Sequence, residues 1–221
     1  MYDFLVLKLL HILCFVYWLG GDLGTFYASR FIGRSDLSPH ARNTAMTIMM
    51  GCDQGPRLAM PLILPLGIHL GQIMQVFTIG TTGVVLAWAL CLAWTAIVLI
   101  LHFSHHSTLA KVLGKIDFPL RIAIAAGLGG LAIYGIASDT LITADWFAYK
   151  LLIFAILVAF GLMIRLNLGP LIGAWGALQS EGATPEGDAV IRQSLNRCLP
   201  FVWGIWVGLI INAALGLHLI G

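Results

Sequence analysis

The sequence predicts an all-α, polytopic integral-membrane helix bundle, on three observations. Its 221 residues are 59% hydrophobic and only 10% charged, with a mean hydropathy of +0.93. A soluble domain carries about 25% charged residues, so this chain lacks the charge to cover a surface facing water, and lipid is its expected solvent. Apolar runs of about 20 residues, the length a helix needs to cross hydrocarbon, recur along the chain. The basic residues fall in alternate connections between those runs. Residues 1–221 read as one transmembrane helical domain, and the net charge of +2 is too small to suggest nucleic acid as a partner.

Six spans are expected: Phe4–Tyr27, Met50–Gln72, Val84–Leu101, Phe118–Ala137, Trp146–Arg165 and Leu199–Leu219. The first is preceded by Tyr2 and Asp3 rather than by a basic segment, and no small-x-small cleavage pattern follows it, so it is read as a retained helix rather than a signal peptide. The second reads as the end of a longer helix starting near Ser38, where "SPHAR" offers a serine N-cap with Pro39 in the first helical turn. Pro56, Pro61 and Pro65 are candidate kinks within it. The long connection from about Asn167 to Arg197 is expected to hold an interfacial segment, a polar turn and a short amphipathic helix. The four cysteines, Cys14, Cys52, Cys91 and Cys198, are widely spaced without a C-x-x-C pair, so they read as small apolar residues.

Arg30, Arg34 and Arg42 lie in the first connection, Lys111, Lys115 and Arg121 in or beside the third, and Arg165, Arg192 and Arg197 in the fifth, whereas the second and fourth carry no basic residue. The positive-inside rule then places both termini outside, on the periplasmic face of a bacterial inner membrane. Lys8, Arg57 and Lys150 fall within spans, and ionisable residues in hydrocarbon mark functional sites by default.

With a rise of about 1.5 Å per residue, the orientation gives each such residue a depth. Lys8, His11, His69, Lys150 and, at the end of the last span, His218 share the outer level. Two histidines on facing helices at one depth meet the requirement for axial ligation of haem b. His11 and His69 are the expected iron ligands, with His218 as the alternative to His69. Lys8 and Lys150 sit at a level suited to the propionates, with Trp146 one turn from Lys150. Gly20, Gly21, Gly24, Gly204, Gly208 and the run "GLGGLAIYG" let a ring approach, or equally let helices pack. A histidine that only hydrogen-bonds its neighbour and a Lys8 that snorkels outward are the competing readings.

At the inner level lie Asp22, Asp53 and Arg57, and an interhelical Asp22–Arg57 ion pair is expected, since pairing is the usual way to tolerate such charges. A proton path or quinone pocket is the alternative. His102, His105 and His106, with His40 as a partner, form a possible second haem or metal site, or a solvated helix end favoured by the dipole. Met46, Met49, Met50 and Cys52 offer soft sulfur to copper(I), or flexible packing.

The stretch "LKLLHILCFVYWLGGDLGTFYASRF" resembles the first helix of the HemJ-type protoporphyrinogen oxidases and of the CopD-like membrane proteins, through K-x-x-H (Lys8, His11), W-x-G (Trp18, Gly20) and an inner arginine (Arg30). "DWFAYKLLIFAILVAFGLMIRL", with Trp146 and Lys150, is similar to their later W-x-x-x-K helix. The resemblance implies a haem-linked bundle in which His11 is a ligand and Lys8 and Lys150 are catalytic or carboxylate-binding; its CopD-like branch implies copper import. The expected function is therefore electron transfer or a haem-dependent oxidation, between a redox-partner protein and quinone. The alternatives are a transporter of copper or a small solute, and a subunit of a larger membrane complex or homo-oligomer.

Overall fold

A computed structural model describes residues 2–104, 107–138 and 140–220. Among them are seven helices, α1 (Tyr2–Ile32), α2 (Pro39–Ile73), α3 (Gly80–Phe103), α4 (Thr108–Ala137), α5 (Asp145–Asn167), α6 (Gly169–Glu181) and α7 (Pro185–Gly216), and no strand. The protein is thus an all-α polytopic bundle, as expected. The long helices follow one another round a closed circuit, α1–α2–α3–α4–α5–α7 and back to α1, with α6 packed on α7. His105 and His106 lie outside the described residues.

The structure adjusts the count of six spans. Among the described residues five helical segments are long and apolar enough to cross a membrane, and α2 is not one of them. Its composition follows from its position. Thirteen of its residues are buried, Pro56, Pro61 and Pro65 among them, so protein rather than lipid covers much of its surface. It nevertheless runs antiparallel to α1 over most of its length: His11 lies against Gly67, Gly21 against Pro56, Gly24 against Cys52, and Arg42 donates to the Ile32 carbonyl.

That seam depends on small residues. A Cβ on Gly21 would lie 2.8 Å from the Cys52 carbonyl oxygen, and one on Gly24 2.8 Å from the Cys52 sulfur. Proline at 56 has no N–H to offer the Cys52 carbonyl four residues back, and α1 closes over that carbonyl because Gly21 has no side chain. The helix continues through all three prolines. Its start is as expected, with the Ser38 side chain accepting from the Ala41 N–H at 3.2 Å.

The main core joins all the long helices. Trp18 of α1 meets Phe154 of α5 edge to face at 6.0 Å, Trp94 of α3 is fully buried, and Phe26 packs on Trp206 of α7. A second, smaller core of Ala28, Ile32, Ala45, Met49, Leu171, Leu178 and Ile191 seats α6 and the first turns of α7 against the α1–α2 turn. The long connection is therefore docked helical structure; its amphipathic segment is the beginning of α7 itself. We call this the basic end, after Arg30, Arg34, Arg192 and Arg197.

At the opposite end the α2–α3 and α4–α5 connections clasp one another. Phe77 and Ile142 form an antiparallel bridge, with Thr78 N–H donating to the Leu141 carbonyl and Thr143 N–H to the Val76 carbonyl, each at 3.1 Å. The Gln72 side-chain oxygen accepts from the N–H groups of Ile79 and Gly80, at 2.9 and 3.0 Å, which fastens the start of α3.

Candidate functional site: two levels of intramembrane charge

The level near the clasp holds His11 and Lys150 together. The His11 imidazole hydrogen-bonds the Ile63 carbonyl, and the Lys150 ammonium is within electrostatic reach of it. Nδ1 of His11 is buried without a partner. Lys150 of α5 donates to the Asn212 carbonyl of α7 at 2.7 Å, and Asn212 Nδ2 returns a hydrogen bond to the Lys150 carbonyl at 3.3 Å. Gly216 makes room for the ammonium, since a Cβ there would stand 2.6 Å from Nζ.

The other residues expected at this level are placed apart. Lys8 is exposed. Trp146 stacks edge to face on His218, 5.0 Å between centroids, beyond the end of α7. His69 lies further along α2. His11 lies against Gly67, and two residues further along a helix is a rotation of about 200°. On a regular helix His69 thus stands on a different face of α2 from the one that meets His11, and its Nδ1 too is buried without a partner. As to haem b, His11 fits a single axial ligand, with one ring nitrogen held by a carbonyl and the other unpartnered.

Toward the basic end lies a larger constellation. The expected Asp22–Arg57 pair is replaced by an Arg57–Asp53 pair within α2, because a spacing of four residues stacks the two on one helix face. Asp22 hydrogen-bonds the Trp18 indole and lies within electrostatic reach of Asp53, and its Oδ2 is buried without a partner. Arg57 in turn acts electrostatically on Arg121 of α4. Arg121 donates to both oxygens of Asp117 at 3.1 Å, reaches the Met60 sulfur at 3.8 Å, and covers the Trp94 ring at 5.3 Å. Arg165 of α5 donates to the same Asp117 at 2.6 Å and to the Gly114 carbonyl.

Asp22, Asp53, Arg57, Arg121, Asp117 and Arg165 thus form one tract over α1, α2, α4 and α5. Its three carboxylates balance its three guanidiniums. Exposure alternates along it: the Asp117 side chain is 3% exposed and Arg121 12%, against 46% for Arg165 and 50% for Arg57. The sequence reading used Arg121 and Arg165 only as markers of orientation and passed over Asp117. The available signal was the Asp117-x-x-x-Arg121 spacing at the start of an apolar run.

The sulfur-bearing residues are spent on packing. Met49 is buried and Met46 packed in the smaller core, Met50 is exposed, and the Cys52 sulfur rests on Gly24. Among the described residues no three His, Cys, Asp or Glu side chains gather where a metal ion would be held. Comparison with protein families, with curated proteins and with solved structures finds no match for the chain.

Proposed function

We propose that this chain is a multi-pass protein of a bacterial inner membrane in which Asp22, set within the six-residue charged tract, takes up and releases a proton in the service of moving a small solute. The single observation that supports this reading is the setting of Asp22: a carboxylate with one buried, unpartnered oxygen, within reach of Asp53, whose partner Arg57 is half-exposed, in a tract of six ionisable side chains on four helices. Carboxylates inside a membrane protein are a usual means of accepting and passing protons, and the arginines, which stay protonated, set the field around them. Asp22 is assigned the proton-accepting role, Asp53 and Arg57 set its field, and Asp117 fixes the two remaining arginines. The basic end faces the cytoplasm in this reading, by the positive-inside rule.

The test is proton uptake into proteoliposomes under an imposed potential, read by an entrapped pH dye. Wild type is expected to exceed empty liposomes clearly, and Asp22→Asn to lose at least ten-fold of the protein-dependent flux while keeping its melting temperature. Flux in Asp22→Asn equal to wild type, or wild type equal to empty liposomes, overturns the assignment.

A second reading rests on His11. Its unpartnered Nδ1 and carbonyl-held ring favour a b-type haem with His11 as one axial ligand, and Lys150 beside it suits a propionate. Bound haem would supply one-electron chemistry between a redox partner and quinone; the chain's own share is to fix the ring of His11 through Ile63 and to hold Lys150 through Asn212. Purified protein should then show a Soret band that His11→Ala loses and His69→Ala keeps. Protein prepared with haem supplied and showing no Soret band eliminates this second reading.

A further inference from the structure

At the basic end, α7 presents a nearly flat, exposed polar face of Ala189, Arg192, Gln193, Asn196 and Arg197. The spacing i, i+3, i+4, i+7, i+8 makes this a single stripe along the helix. Both arginines are exposed, and neither belongs to an ion pair among the described residues. The nearest carboxylate on the same stripe is Glu186, about 9 Å along the axis from Arg192 and on the side away from the apolar part of the helix; Asp188 is turned inward to Arg42. Gly33, in the α1–α2 turn, lies against the Arg192 stem, at 3.4 Å from where its Cβ would be. That contact brings Arg30, in the last turn of α1, and Arg34, in the α1–α2 turn, to this end of α7.

Depth identifies the occupant. Arg197 stands two residues, about 3 Å, before the apolar run that begins at Leu199, and Arg192 about 7.5 Å further out. That is the level of lipid phosphates at the edge of the hydrocarbon. We propose that this face binds the headgroup of an anionic phospholipid, the two guanidiniums meeting its phosphate and Gln193 and Asn196 its polar remainder. Guanidinium forks suit phosphate oxygens, and anionic lipids attract basic clusters at this depth.

Native mass spectrometry of the full chain, released from micelles doped equally with phosphatidylglycerol and phosphatidylcholine, tests this. Wild type should retain phosphatidylglycerol at least three-fold over phosphatidylcholine. Arg192→Gln with Arg197→Gln should abolish that preference, while Lys111→Gln with Lys115→Gln, at the same end on α4, should keep it. No preference in wild type, or equal loss in both double variants, overturns the site in favour of diffuse attraction. If the arginine variant fails to fold, photolabelling of wild type with a headgroup-reactive phosphatidylglycerol decides: label within 189–197 supports the site, and label elsewhere overturns it.

Discussion

Replacing Asp117 with alanine is expected to cost the folded protein about 3–5 kcal/mol, the range seen when one member of a buried ion pair is removed. Asp117 is the single carboxylate between two guanidiniums, Arg121 of its own helix and Arg165 of α5. Alanine leaves Arg121 almost buried with only the Met60 sulfur and the Trp94 face as neighbours, and it cuts a direct tie between α4 and α5. Arg165, being half-exposed, turns to solvent and accounts for the smaller part of the loss. Asp117→Asn keeps the shape and one acceptor, so it should lose less than alanine but remain well below wild type. Equilibrium unfolding of the purified protein in mixed micelles measures both. An alanine variant that unfolds at the same denaturant fraction as wild type refutes the role given to Asp117.

Arg42→Met should be as damaging, through a different part of the molecule. Arg42 is completely buried, donates Nε to the Ile32 carbonyl at 2.8 Å, and meets Asp188 at 2.7 Å. It holds the first turn of α7 against the α1–α2 turn. Methionine strands the Asp188 carboxylate among apolar neighbours, again at about 3–5 kcal/mol. Adding Asp188→Leu should restore at least half of the loss, because replacing both ions with apolar groups removes the stranded charge. Limited proteolysis at the turn between α6 and α7 gives a local readout: cleavage should quicken in Arg42→Met and slow again in the double variant. Unchanged cleavage and melting in Arg42→Met would mean that the smaller core alone seats α7.

What the sequence revealed follows the range of the forces involved. The start of α2 was legible because capping is local: Ser38 and Pro39 are enough to fix it. Depth was legible because the helical rise is constant, and it grouped His11 with Lys150 correctly. Azimuth was not, since it depends on which face of α2 meets α1, and that is fixed by Gly21, Gly24, Gly55 and Gly67 acting together. The same ignorance gave Arg57 the wrong partner. Asp22 across the seam and Asp53 one turn away both matched its depth, and the near one on the same helix prevailed. The Arg42–Asp188 tie joins residues 146 apart, and no spacing rule reaches that far. Nor does any periodicity show that a topological marker such as Arg165 belongs to a buried triad.

The bridge between Phe77 and Ile142 bears on how the bundle can move. It couples the turns that link α2 to α3 and α4 to α5, so four helices share a joint at that end. The α4–α5 hairpin is thus fastened twice, by backbone hydrogen bonds to the α2–α3 turn at this joint and by the Arg165–Asp117 pair nearer the basic end, so it can loosen at neither level without breaking a direct tie.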